Sequence, residues 1–519
     1  MIEFPETFNL AAHHLDKHIQ EGNGQRSAIH CGEASYTYQD IYNQVNQVGN
    51  ALISRGVAME QRVAIILPDI PEFIISWLAV VKIGAVVNTL NPLYPADDFP
   101  PYFKHLRPTV LILHDSVVDK LAPIIPEFTS IRHVIVVGEK KVGYLSFDDV
   151  IRDASPDLEP AETHRDDPAV LLYSGGTTGF PKIFIHSHAT MGACTESYGK
   201  QIYGVCPDDI VLAVPKLIFT YALGDNFLFP FSVGATCILF PERSTPETVF
   251  GLIEKYRPTI LINVPTMINA MLAHPDIENV DLSCLRFCTT AGEALPVNIY
   301  QRWEETFAVP LVDGIGMTEV FHIYISNRPD DIKIGSLGHL VPGYEAKIMG
   351  TDGEELSAGE AGALWIKGPS AALGVWHRHQ AQKDIFKGEW VVTADQMSQD
   401  EEGRFWYYGR TDDLLKVAGQ WVAPLEIELC LYRHPAVLEA CVVGASDEAG
   451  LVKPKAVIAL KDGFAASDET TKDIQNFVKE NLTMNKYPRF VDYVDALPRT
   501  ERGKVNRAEV KTQHGIQSA

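Results

Sequence analysis

Tyr173-Ser174-Gly175-Gly176-Thr177-Thr178-Gly179-Phe180-Pro181-Lys182, YSGGTTGFPK, closes the apolar run VLLY and packs three glycines and three Ser/Thr hydroxyls into ten positions. Glycine loops hold phosphate by presenting backbone N–H groups with no Cβ in the way, and hydroxyls add donors. The Walker pattern needs G-x-x-x-x-G-K-[ST] entering a helix. Here the lysine follows a proline, and the next residues, IFIHSH, alternate as a strand does, so the stretch predicts strand, loop, strand. Taken alone it is equally a Gly-rich hairpin, and its company in the chain decides.

Working outward, helical patterns such as IYNQVNQVGNALISRG alternate with strand-like runs RVAIIL and VLIL between Thr37 and Leu113, and the alternation continues through TCILF and TILINVP. Such alternation predicts α/β layers with mostly parallel strands. After about Gly335 come short β-like pieces separated by Gly and Asp turns, YEAKIMGTDGEEL, GALWIKG and GRFWYYGR. A β-rich subregion is expected there. Beyond GRTDDLLK a new alternation begins, with a helix expected from about Glu469 to Asn481. At 519 residues the chain exceeds the roughly 250–300 at which one core stops growing. We therefore expect an N-terminal domain over 1–411 and a C-terminal domain over 412–519, the division falling near Arg410 to Asp413.

The 44 Lys and Arg against 67 Asp and Glu leave a net charge of −23, a field that repels nucleic acid and anionic lipid. An anionic substrate then needs a local basic site. MIEFPETFNL is acidic where a signal peptide is basic, and the most apolar stretch, Phe73 to Val87, is broken by Lys82 and Gly84. The expectation is a cytoplasmic protein with no membrane span. Its eight cysteines are scattered, with no C-x-x-C and no H-E-x-x-H, which predicts reduced, mostly buried thiols and no zinc.

Five further motifs follow in order: Ala291-Gly-Glu-Ala-Leu-Pro296, Asp313-Gly-Ile-Gly-Met-Thr-Glu319, Thr393-Ala-Asp395, Gly409-Arg-Thr-Asp-Asp413 and Pro498-Arg-Thr-Glu-Arg-Gly-Lys-Val-Asn-Arg507. Together they resemble the adenylate-forming superfamily of acyl-CoA synthetases, carrier-protein adenylation domains and firefly luciferase, over essentially the whole chain. FPETFNLAAHHLDKHIQEGNG, KLIFTYALGDN, HIYISNRP and IKGPSAALGVW resemble the benzoate-type aryl-CoA ligases within it.

The resemblance implies a large N-terminal domain of layered α/β subdomains with a β-rich subregion, and a small α+β C-terminal domain that rotates on a hinge. It implies two half-reactions: a carboxylate and ATP give acyl-AMP and pyrophosphate, then a thiol displaces AMP. ATP, Mg²⁺ and coenzyme A are the expected cofactors. By the same resemblance, Ser174, Gly175, Gly176, Thr177, Thr178, Gly179 and Lys182 wrap the β- and γ-phosphates. Gly175 stands where Ser or Thr is usual, and Ile183 where Gly usually follows the lysine. Thr318 is implied to bond the α-phosphate and Glu319 to bind the metal, with Ile315 in place of the usual Tyr. Gly292, Glu293 and Ala294 would line the adenine, whose amino group Asp313 accepts; Asp395 would take both ribose hydroxyls, and Arg410 would donate to ribose or phosphate. Lys504 is the implied catalytic lysine of adenylation. Asp412 matches the hinge, and Lys416 to Trp421 the thiol-side loop, where Gly419 lets pantetheine pass; Trp421 is either at the tunnel mouth or a core residue.

Phe219, Thr220, Tyr221, Ala222, Gly316, His322 and Ile323 are the implied acyl pocket, an aromatic and small-residue lining that suits a flat ring. Where the relatives read Ala-Tyr-Gly-Leu-Gly-Asn, this chain has Thr220-Tyr-Ala-Leu-Gly-Asp-Asn226, a change that points to a substituted ring such as amino- or hydroxybenzoate. Asp225 either pairs with an amino group or caps a helix, and His322 either bonds the substrate or is a satisfied core histidine. The expected partners are an aromatic carboxylic acid and coenzyme A, in a monomer or homodimer. Loading of an aryl acid onto a carrier protein is the nearest alternative; a luciferase-like oxidoreductase and a non-catalytic nucleotide binder are further ones.

Overall fold

The structure, a computed structural model, describes residues 2–174, 181–417, 420–447, 450–499 and 504–515. Two mostly parallel sheets carry the N-terminal part. In the first, the strands Ile210–Ala213, Ile260–Asn263, Phe287–Thr290 and Leu311–Gly316 lie side by side in parallel. In the second, Arg62–Ile66, Val86–Thr89 and Pro168–Tyr173 are parallel neighbours, and Ile183–Ser187 turns back against Pro168–Tyr173. The two predicted strands on either side of Ser174 to Lys182 are therefore present and antiparallel. Strands covered on both faces are mostly apolar, and Val86–Thr89 and Ile260–Asn263 are buried at every position, with Asn88 donating to the Leu171 carbonyl at 2.8 Å.

Local chemistry sets the helix starts. Thr37 caps Tyr38–Ser54 in a reciprocal capping box with Asp40, and Pro71 opens the almost wholly buried helix Pro71–Lys82. Lys82, which breaks the apolar run in sequence, is fully buried and bonds Asp16 and Asn46, each at 2.7 Å. An ammonium in a core is tolerated only with such partners.

The β-rich subregion is an antiparallel sheet built on Glu345–Met349, Gly362–Lys367, Trp390–Gln399 and Phe405–Arg410. From Leu415 onward the apolar side chains gather in clusters of their own, around the strands Val437–Ser446, Val452–Leu460 and Phe490–Tyr493 and the helix Asp468–Asn481. The expected α/β class, with a large N-terminal and a small α+β C-terminal domain, stands. Among the described residues no cysteine is in a disulfide, five of the eight are buried, and no helix is long and apolar enough to cross a membrane.

Candidate active site

The strands Phe287–Thr290 and Leu311–Gly316 pair with Thr290 opposite Asp313, so the Ala291–Pro296 turn and Asp313 emerge together at the carboxyl end of the sheet. Ligands of open α/β sheets bind at such ends. Gly292 has φ +89°, and a Cβ there would sit 3.3 Å from Lys504 Nζ. The Lys504 ammonium donates to the Gly292 carbonyl. Glu293 accepts from Thr266 Oγ1 at 2.7 Å. Burial pushes the Asp313 carboxyl up to about 8, and among the described residues its Oδ1 has no hydrogen-bond partner.

Strand Leu311–Gly316 runs into a single 3₁₀ turn, Thr318–Val320, stopped by Phe321 at φ +69°. Two braces hold this turn. The Ala372 N–H donates to the Glu319 carbonyl at 2.9 Å and Ser370 Oγ to that of Val320 at 2.6 Å, so the IKGPSAALGVW segment serves as its scaffold. From the other side His186 Nε2 donates to the Thr318 carbonyl at 2.7 Å. Burial lowers His186 to about 4, which keeps it neutral, with Nε2 carrying the proton. In sequence His186 was only one inward position of the IFIHSH alternation.

Glu319 is the centre of a charge cluster. Burial raises its carboxyl, Lys182 and Arg410 draw it back down, and Asp395 raises it further. Asp395 and Arg410 face each other across the strands Trp390–Gln399 and Phe405–Arg410. Burial likewise raises Asp395, against the pull of Arg410, and the Tyr407 hydroxyl lies 3.5 Å from its Oδ1. Tyr407, two positions from Gly409 in the motif, went unread as a site residue. Asp395 and Arg410 are thus cross-strand neighbours, and Lys182, Arg410 and Asp395 all act on the Glu319 charge. Ser174 N–H closes the hairpin on the Lys182 carbonyl at 3.0 Å; Gly175, Gly176, Thr177, Thr178, Gly179 and Gly419 lie outside the described residues.

Beyond Arg410, Asp412 is exposed and Asp413 is tied to Lys511 at 2.7 Å and Arg507 at 3.3 Å, in the helix Arg507–His514. Arg507 is locked in turn on Glu428, at 2.6 and 2.7 Å. Lys416 is exposed, its ammonium 5.5 Å from the centre of the Trp421 ring. Trp421 is 57% exposed, which removes the core reading of that residue.

Among the residues expected to line an acyl pocket, half-buried Phe219 precedes the short helix Thr220–Leu223, in which Thr220 and Tyr221 are half-buried and Ala222 buried. Tyr221 Oη sits 2.8 Å from Thr289 Oγ1. His322 Nε2 donates to the Tyr221 carbonyl at 2.9 Å, and burial lowers the imidazole to about 4. A Cβ on Gly316 would come within 2.6 Å of the His322 carbonyl oxygen, so only glycine permits this approach of Leu311–Gly316 to the buried Ile323 strand. Asp69, unread in sequence, accepts the Leu217 N–H at 3.1 and 3.2 Å and anchors the segment leading to Phe219; burial lifts its carboxyl to about 6. The helix-cap reading of Asp225 is overturned. The residue lies inside the π-helical turn Gly224–Leu228, and neither carboxyl oxygen accepts a bond from a described residue.

Residues 16–376 match the AMP-binding enzyme family, and residues 426–504 match the AMP-binding enzyme C-terminal domain. A benzoate–CoA ligase of Thauera aromatica is 37% identical over 513 residues, 98% of this chain and 97% of that one. The solved structure of an anthranilate CoA ligase in complex with anthranoyl-AMP matches with a TM-score of 0.93 at 37% identity, over 98% of each chain. A benzoate CoA ligase from Burkholderia xenovorans LB400 matches with a TM-score of 0.89 at 35% identity, over 97% of this chain and 99% of that one.

Proposed function

The chain belongs to the AMP-binding enzyme family, and from that premise we propose that it activates an aromatic carboxylate with ATP to acyl-AMP and then transfers the acyl group to the thiol of coenzyme A. The observation that carries the site assignment is the Lys504 ammonium on Gly292, beside the strand that bears Asp313. In this reading Lys504 steadies the negative charge that builds as the carboxylate oxygen attacks the α-phosphorus and pyrophosphate leaves. Thr318, on a turn braced by His186 and Ser370, orients the α-phosphate. Asp395 takes the ribose, Arg410 offsets phosphate charge, and the Asp313 carboxyl accepts the adenine amino group at Oδ1, which no described residue engages.

The donor set near Glu319 fits magnesium. Among the described residues no three His, Cys, Asp or Glu side chains gather as a metal cage, and a single hard carboxylate sharing a dication with nucleotide phosphates is how magnesium is commonly bound. Glu319 would hold it, and the bound ion would neutralise phosphate charge.

The domain division at 411/412 is supported by the anchors on either side: Arg410 faces Asp395 across the sheet, Asp413 pairs with Arg507 and Lys511, and exposed Asp412 lies between them, 3.7 Å from the Arg410 guanidinium. Rotation about Asp412 would withdraw Lys504 and bring the Lys416 to Trp421 hairpin to the acyl-AMP. We place the enzyme in the cytoplasm, in keeping with its cysteines, none of which is in a disulfide among the described residues. The test is pyrophosphate release over benzoate, aminobenzoates, hydroxybenzoates, cinnamates and short fatty acids, followed by addition of coenzyme A or a phosphopantetheinyl carrier protein. Aromatic acids and coenzyme A are expected to be used; preference for fatty acids, or for the carrier, rejects the reading.

A further inference from the structure

Three charged side chains, Asp413, Glu428 and Arg507, converge just past the division between the domains. Arg507 donates from its two Nη atoms to the two carboxylate oxygens of buried Glu428, at 2.6 and 2.7 Å, and from Nη1 to the Val442 carbonyl at 2.9 Å. Glu428, on the helix Pro424–Leu431, in turn accepts the Val442 N–H at 2.6 Å. The remaining edge of the guanidinium, Nε, lies 3.3 Å from Asp413, which also takes the Lys511 ammonium at 2.7 Å. A buried ion pair is poor evidence for stability, since desolvation offsets most of its attraction, but a two-pronged guanidinium–carboxylate contact fixes orientation. Arg507 is therefore held in one place by a helix, a strand and the chain entering the domain.

What that place governs is Lys504, a few residues earlier in the chain. Between the two, Val505 bridges to Arg499, and the Asn506 N–H donates to the Pro498 carbonyl at 2.7 Å while its side chain caps the helix Arg507–His514. The main chain from Lys504 to Arg507 thus has little freedom, and where Arg507 goes, the ammonium on the Gly292 carbonyl follows. At the other end, Asp413 directly follows Asp412, the residue about which the C-terminal domain is read to turn. Along the chain Asp413 and Lys511 are 98 positions apart, yet their side chains touch. A turn at Asp412 therefore reaches the Lys504 segment through side chains, without passing through the body of the domain.

We propose that Asp413 and Arg507 are positioning residues of the adenylation half-reaction: their contact carries the setting of the chain at Asp412 to Lys504, so that the ammonium meets Gly292 in register. The inference rests on the reading of Lys504 as the adenylation lysine and of Asp412 as the hinge. It is tested in the full chain with Asp413→Asn and Arg507→Lys, each with and without Lys504→Ala, by following pyrophosphate release, thioester formation from preformed acyl-AMP and the melting temperature. Asp413→Asn keeps the shape and loses the charge, whereas Arg507→Lys keeps the charge and loses the fork. Each is expected to slow pyrophosphate release about tenfold, in line with the cost of a misplacement of about 1 Å at a reacting group, and to leave the thioester step within about threefold. In the Lys504→Ala background each should cost no more than about a further twofold, because the group through which it acts is gone; a merely structural role would cost the same factor again. Unchanged pyrophosphate release, equal losses in both half-reactions, or the full further loss in the Lys504→Ala background overturns the proposal. Should Arg507→Lys fail to fold, Asp413→Asn, at a side chain 21% exposed, decides alone. Undiminished pyrophosphate release in Lys504→Ala by itself rejects the lysine reading on which the proposal stands, and it is measured apart from the other variants.

Discussion

The ammonium of Lys504 donates to the main-chain carbonyl of Gly292, 212 positions away in the chain. This contact joins the small C-terminal domain to the strand-end turn beside Asp313, and in the proposed function it supplies the positive charge of the adenylation half-reaction.

Lys504→Ala should therefore lower the adenylation rate by about 10²–10³, the usual loss for one preorganised electrostatic donor. Thioester formation from preformed acyl-AMP should change far less. Pyrophosphate release and CoA-thioester formation, followed separately, check this; equal losses in both count against the assigned role.

Gly292→Ala meets two obstacles: a φ of +89° and a Cβ 3.3 Å from Lys504 Nζ. The strained backbone should cost about 1 kcal/mol or more of stability. The displaced ammonium should slow adenylation while leaving reaction of preformed acyl-AMP near wild type. A thermal melt paired with the two half-reaction assays separates the effects.

Asp313 gives a stability signature. Its carboxyl has a folded value of about 8 against an unfolded value of 3.8, so the folded state keeps a proton that the unfolded state gives up. The contribution is fully present below about 3.8 and is lost as pH rises towards about 8. Asp313→Asn, which stays neutral, should gain in Tm relative to wild type as pH is raised across that window. A constant Tm difference would remove Asp313 from this role.

Asp69→Asn keeps the shape of the group that receives the Leu217 N–H but weakens the bond, since a neutral amide oxygen is the poorer acceptor. Loosening of the segment leading to Phe219 should raise KM for the aromatic acid several-fold and leave KM for ATP unchanged. A parallel rise in both would point to general destabilisation.

Trp421 is 57% exposed, so Trp421→Ala should shift stability by no more than about 0.5 kcal/mol, as for most surface changes. If the hairpin meets the thiol substrate, KM for coenzyme A rises and pyrophosphate release is unaffected. Titration of CoA at saturating ATP and acid reads this directly.

Most of the architecture was legible because its signals are local. The turnback after Tyr173 is announced by IFIHSH, the parallel strands by apolar runs that no half-exposed strand would carry, and the helix Asp468–Asn481 by its period. Glu319, Asp395 and Lys504 were singled out through the motifs that hold them, and Arg410 proved to be Asp395's cross-strand partner. His186, Asp69 and Tyr407 were missed because each sits in an ordinary strand or loop pattern; their importance comes from which main-chain or carboxyl group they meet.

The sequence by itself determined the fold class, the order of the motifs and the residue types at the reacting groups, because backbone geometry and periodicity are properties of neighbours in the chain. The tertiary structure alone decided which polar groups are dry and what they face. Asp225 and Trp421 show the difference: both readings of each were open in sequence, and the fold buried the carboxyl with no partner among the described residues and left the indole in solvent. Burial and charge environment are sums over residues distant in the chain, as when Asp16 and Asn46 converge on Lys82 or Lys182 and Arg410 on Glu319. No local stretch contains that sum.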